Sequence, residues 1–215
     1  MIIIAIADIH SDLRFLSSIT SYLEKAHLVL LAGDITNFLG ADDAAETIKS
    51  IRKYNSNILA VTGNCDSPQV AEYLKNEGLD LNCRCVEFEG ITFTGLNGSV
   101  PSENEQKAQT KSDHFRKSLK SITAEIKDKS PVVFVSHHPA RNTAVDSYGS
   151  GNTAIAEFIK NSNPLLAISG HIHESPGKDT LGNSTLVNPG PFRESSFAKI
   201  EIIGKNVKSA EIMKL

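Results

Sequence analysis

Residues 2–10 read Ile2-Ile3-Ile4-Ala5-Ile6-Ala7-Asp8-Ile9-His10. Four isoleucines and two alanines run together without polar interruption. A strand with one face in water would alternate apolar and polar residues, so this one is expected to be covered on both faces. The run then stops at a carboxylate and an imidazole two residues apart. A fully covered strand with polar groups at its carboxyl end belongs to layered α/β architecture, in which ligands gather beyond the strand ends.

Further runs repeat the pattern: Leu28–Ala32, Ile58–Val61, Ile91–Phe93, Val132–Val135 and Leu165–Ile168. Helical periodicity falls between them. Leu13, Leu16, Ile19, Tyr22 and Leu23 recur at spacings of three and four within Asp12–Ala26. Ala41–Tyr54, Pro68–Asn76, Ser112–Asp128 and Thr153–Lys160 are further helices, Pro68 standing in a first turn. Arg84–Phe88 and Ile91–Thr94 flank Glu89-Gly90 as a hairpin. Short turn-bounded strands follow at Thr185–Val187, Phe197–Ile203 and Val207–Met213, while 97–109 and 140–152 read as surface loops. The expected fold class is α/β (α+β): two packed sheets, a β-sandwich, flanked by helices, with residues 1–215 forming one domain.

The chain has 215 residues, 40% hydrophobic and 22% charged, with 22 Lys+Arg against 25 Asp+Glu. A net charge of −3 argues against non-specific nucleic-acid binding, which draws on surplus basic residues. No apolar stretch approaches the roughly 18 residues of a membrane span. Ile2–Ala7 lacks the basic flank and length of a signal sequence, so a cytoplasmic location is expected. Cys65, Cys83 and Cys85 do not suggest a disulfide framework.

Five strand ends carry potential ligands: Asp8 and His10; Gly33-Asp34; Gly63-Asn64-Cys65-Asp66; His137-His138-Pro139; and Gly170-His171-Ile172-His173. Asp, Glu, His, Asn and Cys fill 50 of 215 positions, so five such ends by chance is of order one in a thousand. Carboxylates, an amide and imidazoles without thiolate suit Mn, Fe, Zn, Co or Ni, Mn foremost, rather than Ca. Two carboxylates, one amide and four imidazoles exceed what a single tetrahedral ion takes and suit two ions. Against the charges of Asp8 and Asp34, two divalent ions leave the site at +2, which favours a phosphate substrate and an acidified water as nucleophile.

Asp8-x-His10, Gly33-Asp34, Gly63-Asn64-x-Asp66, His137 and Gly170-His171-x-His173, in this order, resemble the calcineurin-like metallophosphoesterases across Asp8 to His173. Val187-Asn188-Pro189-Gly190 is similar to a segment of their small prokaryotic phosphodiesterase branch. The resemblance implies a four-layer fold, one ion on Asp8, His10 and His173, and a second on Asn64, His137 and His171, with Asp34 bridging. His137 rather than His138 is the expected ligand, because it comes directly off its strand with one residue before Pro139. Hydroxide held between the ions would attack phosphorus, with Asp34 and Asn64 as catalytic groups. Many members have His where this chain has Cys65, and a thiol cannot protonate a leaving group as an imidazolium does. The branch with Cys tends toward phosphodiesters or activated esters; His138, water or the substrate would then supply the proton.

The expected activity is hydrolysis of a small or nucleotide-type phosphodiester, with Asn64, Cys65 and Arg141 touching substrate. The alternatives are a nuclease and a non-catalytic protein-binding scaffold of the same fold. All seven ligand positions carry competent residues, which a scaffold does not require. Plainer roles stand beside these: Asp66 orienting the Asn64 loop, Cys65 packed as a small apolar residue, Arg141 solvated, and His27 and His114 on the surface. Cys83-x-Cys85 lacks a second pair for a zinc site. An edge strand at Val207–Met213 offers a homodimer contact.

Overall fold

In the computed structural model, which describes residues 1–98 and 105–215 (side chains of 1–98 and 113–215), eleven strands form two sheets. The first sheet holds β1 (Ile2–Ile6), β2 (Leu28–Ala32), β3 (Ile58–Val61), β10 (Ser196–Ile203) and β11 (Asn206–Lys214), in the order β11-β10-β1-β2-β3. The second holds β4 (Val86–Phe88), β5 (Ile91–Leu96), β6 (Val132–Ser136), β7 (Leu166–Ile168), β8 (Gly177–Leu181) and β9 (Ser184–Asn188), in the order β4-β5-β6-β7-β9-β8. In the first sheet β1-β2-β3 are parallel, with β3 at one edge and antiparallel β10 and β11 on the other side. In the second, parallel β5-β6-β7-β9 lie between antiparallel edge strands β4 and β8.

The continuous apolar runs follow from the layering. Ile3, Ala5 and Ala7 point into the core between the sheets, with Leu28, Leu30, Val133 and Val135. Ile4 and Ile6 point the other way, against Leu23, Ile48, Ile51, Val70 and Leu74. Those partners lie on α1 (Thr20–Lys25), α2 (Ala41–Arg52) and α3 (Pro68–Asn76). On the far side, α4 (Glu105–Ile126) and α5 (Thr153–Ser162) cover the second sheet through Phe115, Leu119, Ile122, Ile155 and Phe158. Three apolar interfaces therefore separate four layers, as expected. The Glu89-Gly90 hairpin also forms, with both φ angles positive as a two-residue turn requires.

Three local readings change. Asp12–Ala26 is not one helix: a 3-10 turn at Leu16–Ile19 precedes α1. Ser11 is held in a left-handed conformation by its N–H bond to Ile35 O, and the Asp12 carboxylate takes the N–H of Arg14, so regular helix starts only afterwards. The helix expected from Ser112 begins at Glu105, inside the expected loop 97–109, of which 99–104 lie outside the described residues. Residues 105–111 contain one apolar residue, so helix propensity without periodicity left no signal there. Gly177–Leu181 is an edge strand with half-exposed faces and no apolar alternation to reveal it. Cys83 and Cys85 precede β4 and are free, and β11 forms the expected sheet edge. Among the described residues no helix is long and apolar enough to cross a membrane.

Buried Asn55 joins the end of α1 to β3: its Nδ2 donates to Leu23 O (2.8 Å) and Ala26 O (2.7 Å), and its Oδ1 accepts from Asn57 N–H. Asn55→Ala should lower unfolding free energy by about 1–3 kcal/mol, because it strands buried carbonyls. Urea denaturation checks this.

Candidate metal centre

Beyond β1 and β2 the ladder continues into the loops. Asp8 N–H bonds Gly33 O (3.1 Å) and His10 N–H bonds Asp34 O (2.9 Å). Asp8, His10, Asp34 and His171 all have positive φ, between 49° and 71°. Non-glycine residues hold that conformation at a cost of about 1–3 kcal/mol each, and it persists only where the surroundings impose it. Here it turns consecutive polar side chains into one space. Glycines make that space: a Cβ on Gly63 would collide with the Asp34 carboxylate, and one on Gly33 with the His137 ring.

Six of the expected residues converge closely. His173 Nε2 lies 3.2 Å from Asp8 Oδ1. His137 Nε2 lies 3.1 Å from Asn64 Oδ1, 3.4 Å from Asp34 Oδ2 and 4.0 Å from Asp8 Oδ1. His10 Nε2 lies 3.8 Å from Asp34 Oδ2. His171 completes the set: its N–H approaches both Asp8 oxygens (3.3 and 3.2 Å), and its ring lies 5.1 Å from that of His137. Three trios, Asp8–His10–His173, His10–Asp34–Cys65 and Asp8–Asp34–His137, bring their ligand atoms within 4.8 Å of one another.

Asp34 is fixed asymmetrically. Its Oδ1 accepts the Cys65 N–H (2.8 Å), leaving Oδ2 facing both His10 and His137. Burial raises its pKa, but the His137 ring and the Cys65 N–H outweigh burial and hold the carboxyl well below the usual range. Burial likewise pulls His137 down, and Asp34 more than reverses it, lifting the ring to about 9. Its Nδ1 donates to Ala32 O (2.8 Å), so Nε2 is the nitrogen facing the carboxylates. At pH 7 that ring keeps its proton, and a cation held by His137 would displace it.

Whether the residues fit divalent ions is answered by His10. Both its ring nitrogens are buried without a hydrogen-bond partner, and burial lowers its pKa, so it is a neutral ring aimed at Asp34. Orphaned buried nitrogens are rare in folded proteins and call for an unseen partner. An oxygen and imidazole set around such a ring suits a borderline divalent cation. The residues fit.

The other expected residues separate. Asp66 touches no ligand side chain; it accepts from Ile35 N–H (3.2 Å), Thr36 N–H (2.7 Å), Thr36 Oγ1 (2.9 Å) and Gly63 N–H (2.9 Å), tying the Asp34 loop to the Asn64 loop. Cys65 is buried beside the centre, with Asn64 Nδ2 3.3 Å from Sγ; burial and Asp34 push its pKa up to about 12, which keeps it a thiol in the absence of a bound cation. His138 lies under His171, ring centroids 4.9 Å apart, and burial pushes it down to about 4. Arg141 is exposed at the start of 140–152, a loop that Asp146 braces through Asn142 and Gly151 N–H.

A model of the calcineurin-like phosphoesterase superfamily domain matches residues 1–204. The chain belongs to that superfamily. The uncharacterized protein MJ1162 of Methanocaldococcus jannaschii is 29% identical over 200 residues, covering 89% of this chain and 88% of that one. TT1561 of Thermus thermophilus shares the fold with a TM-score of 0.76 at 20% identity, covering 99% of this chain and 98% of that one. The phosphopantetheinyl hydrolase of Mycobacterium tuberculosis does so at 0.57 and 16%, over 89% and 90%.

Reading the superfamily motifs alone misses Arg193, whose Nη2 lies 3.2 Å from His173 Nδ1. Its only sequence signal is position, three residues past Asn188-Pro189-Gly190.

Asp66→Asn keeps shape but turns an amide NH₂ toward N–H donors. It should weaken manganese binding by about 10- to 100-fold without removing a ligand, measured by calorimetric titration of the stripped protein.

Proposed function

We propose that this chain is a dinuclear metal-dependent phosphodiesterase acting on a small or nucleotide-type diester. The observation that carries the reading is the pair of buried carboxylates, Asp8 and Asp34, side chains 1% and 4% exposed, faced by His10, His137 and His173 within 4.0 Å. Asp8, His10 and His173 would hold one ion and Asn64, His137 and His171 the other, with Asp34 serving both. Bound divalent ions acidify a coordinated water and neutralise phosphoryl charge.

The chain's own residues do the rest. The Cys65 N–H keeps Asp34 Oδ2 turned inward. Asn64 presents Oδ1 toward the His137 side, leaving its Nδ2 as a donor for a phosphoryl oxygen in place of the weak Cys65 Sγ contact. Ala32 O fixes the His137 tautomer, and Asp8 orients His171 and His173.

Proton delivery to the leaving group is where this chain differs from superfamily members with His at position 65. Cys65 holds its proton tightly. His138 is neutral at pH 7 and its Nδ1 faces Pro139 O (3.4 Å), so it serves better as the ring against which His171 packs. The proton then comes from water, or the substrate needs none. Both favour diesters with a good leaving group over monoesters of simple alcohols. The scaffold alternative gives no reason for burying His10 without partners. With manganese bound and a net charge of −3 on the whole chain, a small diester fits better than a nucleic acid.

Chelator-stripped protein should hydrolyse bis-p-nitrophenyl phosphate only after manganese is restored, and faster than p-nitrophenyl phosphate. Equal rates without metal would refute the reading. Asp34→Asn should cost at least about a hundredfold in kcat/KM together with metal content. Cys65→His should raise the monoester-to-diester ratio, and an unchanged ratio would place residue 65 away from the leaving group.

A further inference from the structure

Arg193 is carried to the centre by the same segments that carry its carboxylate and imidazole groups. It lies in the 3-10 turn Phe192–Glu194, directly after Asn188-Pro189-Gly190-Pro191. Its N–H bonds Asp8 O (3.4 Å), and the neighbouring Phe192 N–H bonds Ala7 O (2.9 Å), which pins the turn to the end of β1. Asn188, fully buried, donates to Ile172 O (2.9 Å) and accepts from Gly190 N–H (2.9 Å), which ties the same turn to the His171–His173 loop.

The guanidinium is near enough to Asp12 to help lower that carboxyl's pKa, but no anion among the described residues is in direct contact with it. Among the described residues no carboxylate lies within ion-pair distance of Arg193. Asp12, the acid on the neighbouring loop, is taken by Arg14 at 2.6–2.9 Å. Among the described residues the guanidinium's one hydrogen-bond partner is His173 Nδ1 at 3.2 Å. A half-buried guanidinium there repels any cation held by His10 and His173, so its placement weakens metal binding unless an anion also arrives.

His173 Nδ1 can accept from Arg193 only while its ring hydrogen sits on Nε2, the nitrogen facing Asp8 Oδ1. A ring that gives Nε2 to an ion carries its hydrogen on Nδ1, and donor then faces donor. Arg193 must leave His173 in that state, on a flexible stem, with up to five N–H donors to place.

We propose that Arg193 binds substrate phosphate, its guanidinium taking a non-bridging phosphoryl oxygen at the His10–His173 edge of the centre. The proposal deepens the phosphodiesterase reading and rests on it for the identity of the anion. The site thus holds phosphate from two sides, Asn64 Nδ2 on the His137 side and Arg193 on the His173 side, and inorganic phosphate should occupy it as a product.

The test compares manganese-loaded wild type, Arg193→Gln and Arg193→Lys. Inorganic phosphate binding is read by calorimetry, bound manganese by elemental analysis, and KM and kcat with bis-p-nitrophenyl phosphate. Arg193→Gln should weaken phosphate binding roughly tenfold to a hundredfold and raise KM by a similar factor, with unchanged or higher manganese content. Arg193→Lys should recover part of the loss. Unchanged phosphate affinity in Arg193→Gln overturns the proposal. Loss of manganese in parallel with phosphate also overturns it, because Arg193 would then only position His173. Arg193-dependent phosphate binding by a wild type that hydrolyses no diester would sustain this proposal while rejecting the hydrolytic reading.

Discussion

Asp8 and Asp34 are buried side by side at the carboxyl ends of two neighbouring strands, and the rest of the structure is arranged around making that tolerable. Two carboxylates removed from water repel each other and lose hydration, and either alone would cost several kcal/mol without compensation. The compensation visible in the protein is the ring of His137, protonated at neutral pH and resting on Asp34, with His173 against Asp8. Protons stand here where divalent ions would do the same work with more charge. His10, with neither nitrogen partnered, marks the place where the compensation seen is incomplete.

This constraint explains features of the fold that packing alone does not. A parallel sheet ends its strands at one edge, but ordinary extended chain would send alternate side chains to opposite faces. The left-handed residues at Asp8, His10, Asp34 and His171 break that alternation and collect polar groups on one side. Asp66 then clamps the Asp34 loop to the Asn64 loop from behind through four donors. Below them the residues Ile3, Ala5, Val133 and Val135 form a dry floor between the sheets, which excludes water and keeps the local dielectric low.

Much of this was legible in the sequence because both signals are local. A run such as Ile2–Ala7 states that both faces are covered, and the residue after it states what lies at the strand end. The seven positions singled out as candidate ligands were each read that way, and the fold brings their side chains together. The start of α4 at Glu105, the edge strand Gly177–Leu181 and the broken helix after Asp12 were not, since weak periodicity, half-exposed faces and a side-chain turn leave little pattern to read. Arg193 escaped for a different reason: its importance lies in what it does not pair with, and pairing is a property of the folded chain. Asp66 and His138, which sequence left between structural and chemical readings, have surroundings that only the folded chain shows: Asp66 accepts from Gly63 N–H, and His138 Nδ1 faces Pro139 O.

Anomalous scattering from crystals grown with manganese decides whether the Asp8–Asp34 cluster is a two-ion centre. Two peaks are expected in each chain, one among Asp8, His10 and His173 and one among Asn64, His137 and His171, with Asp34 between them. A single peak, or manganese bound elsewhere with the cluster left to its own protons, would contradict it.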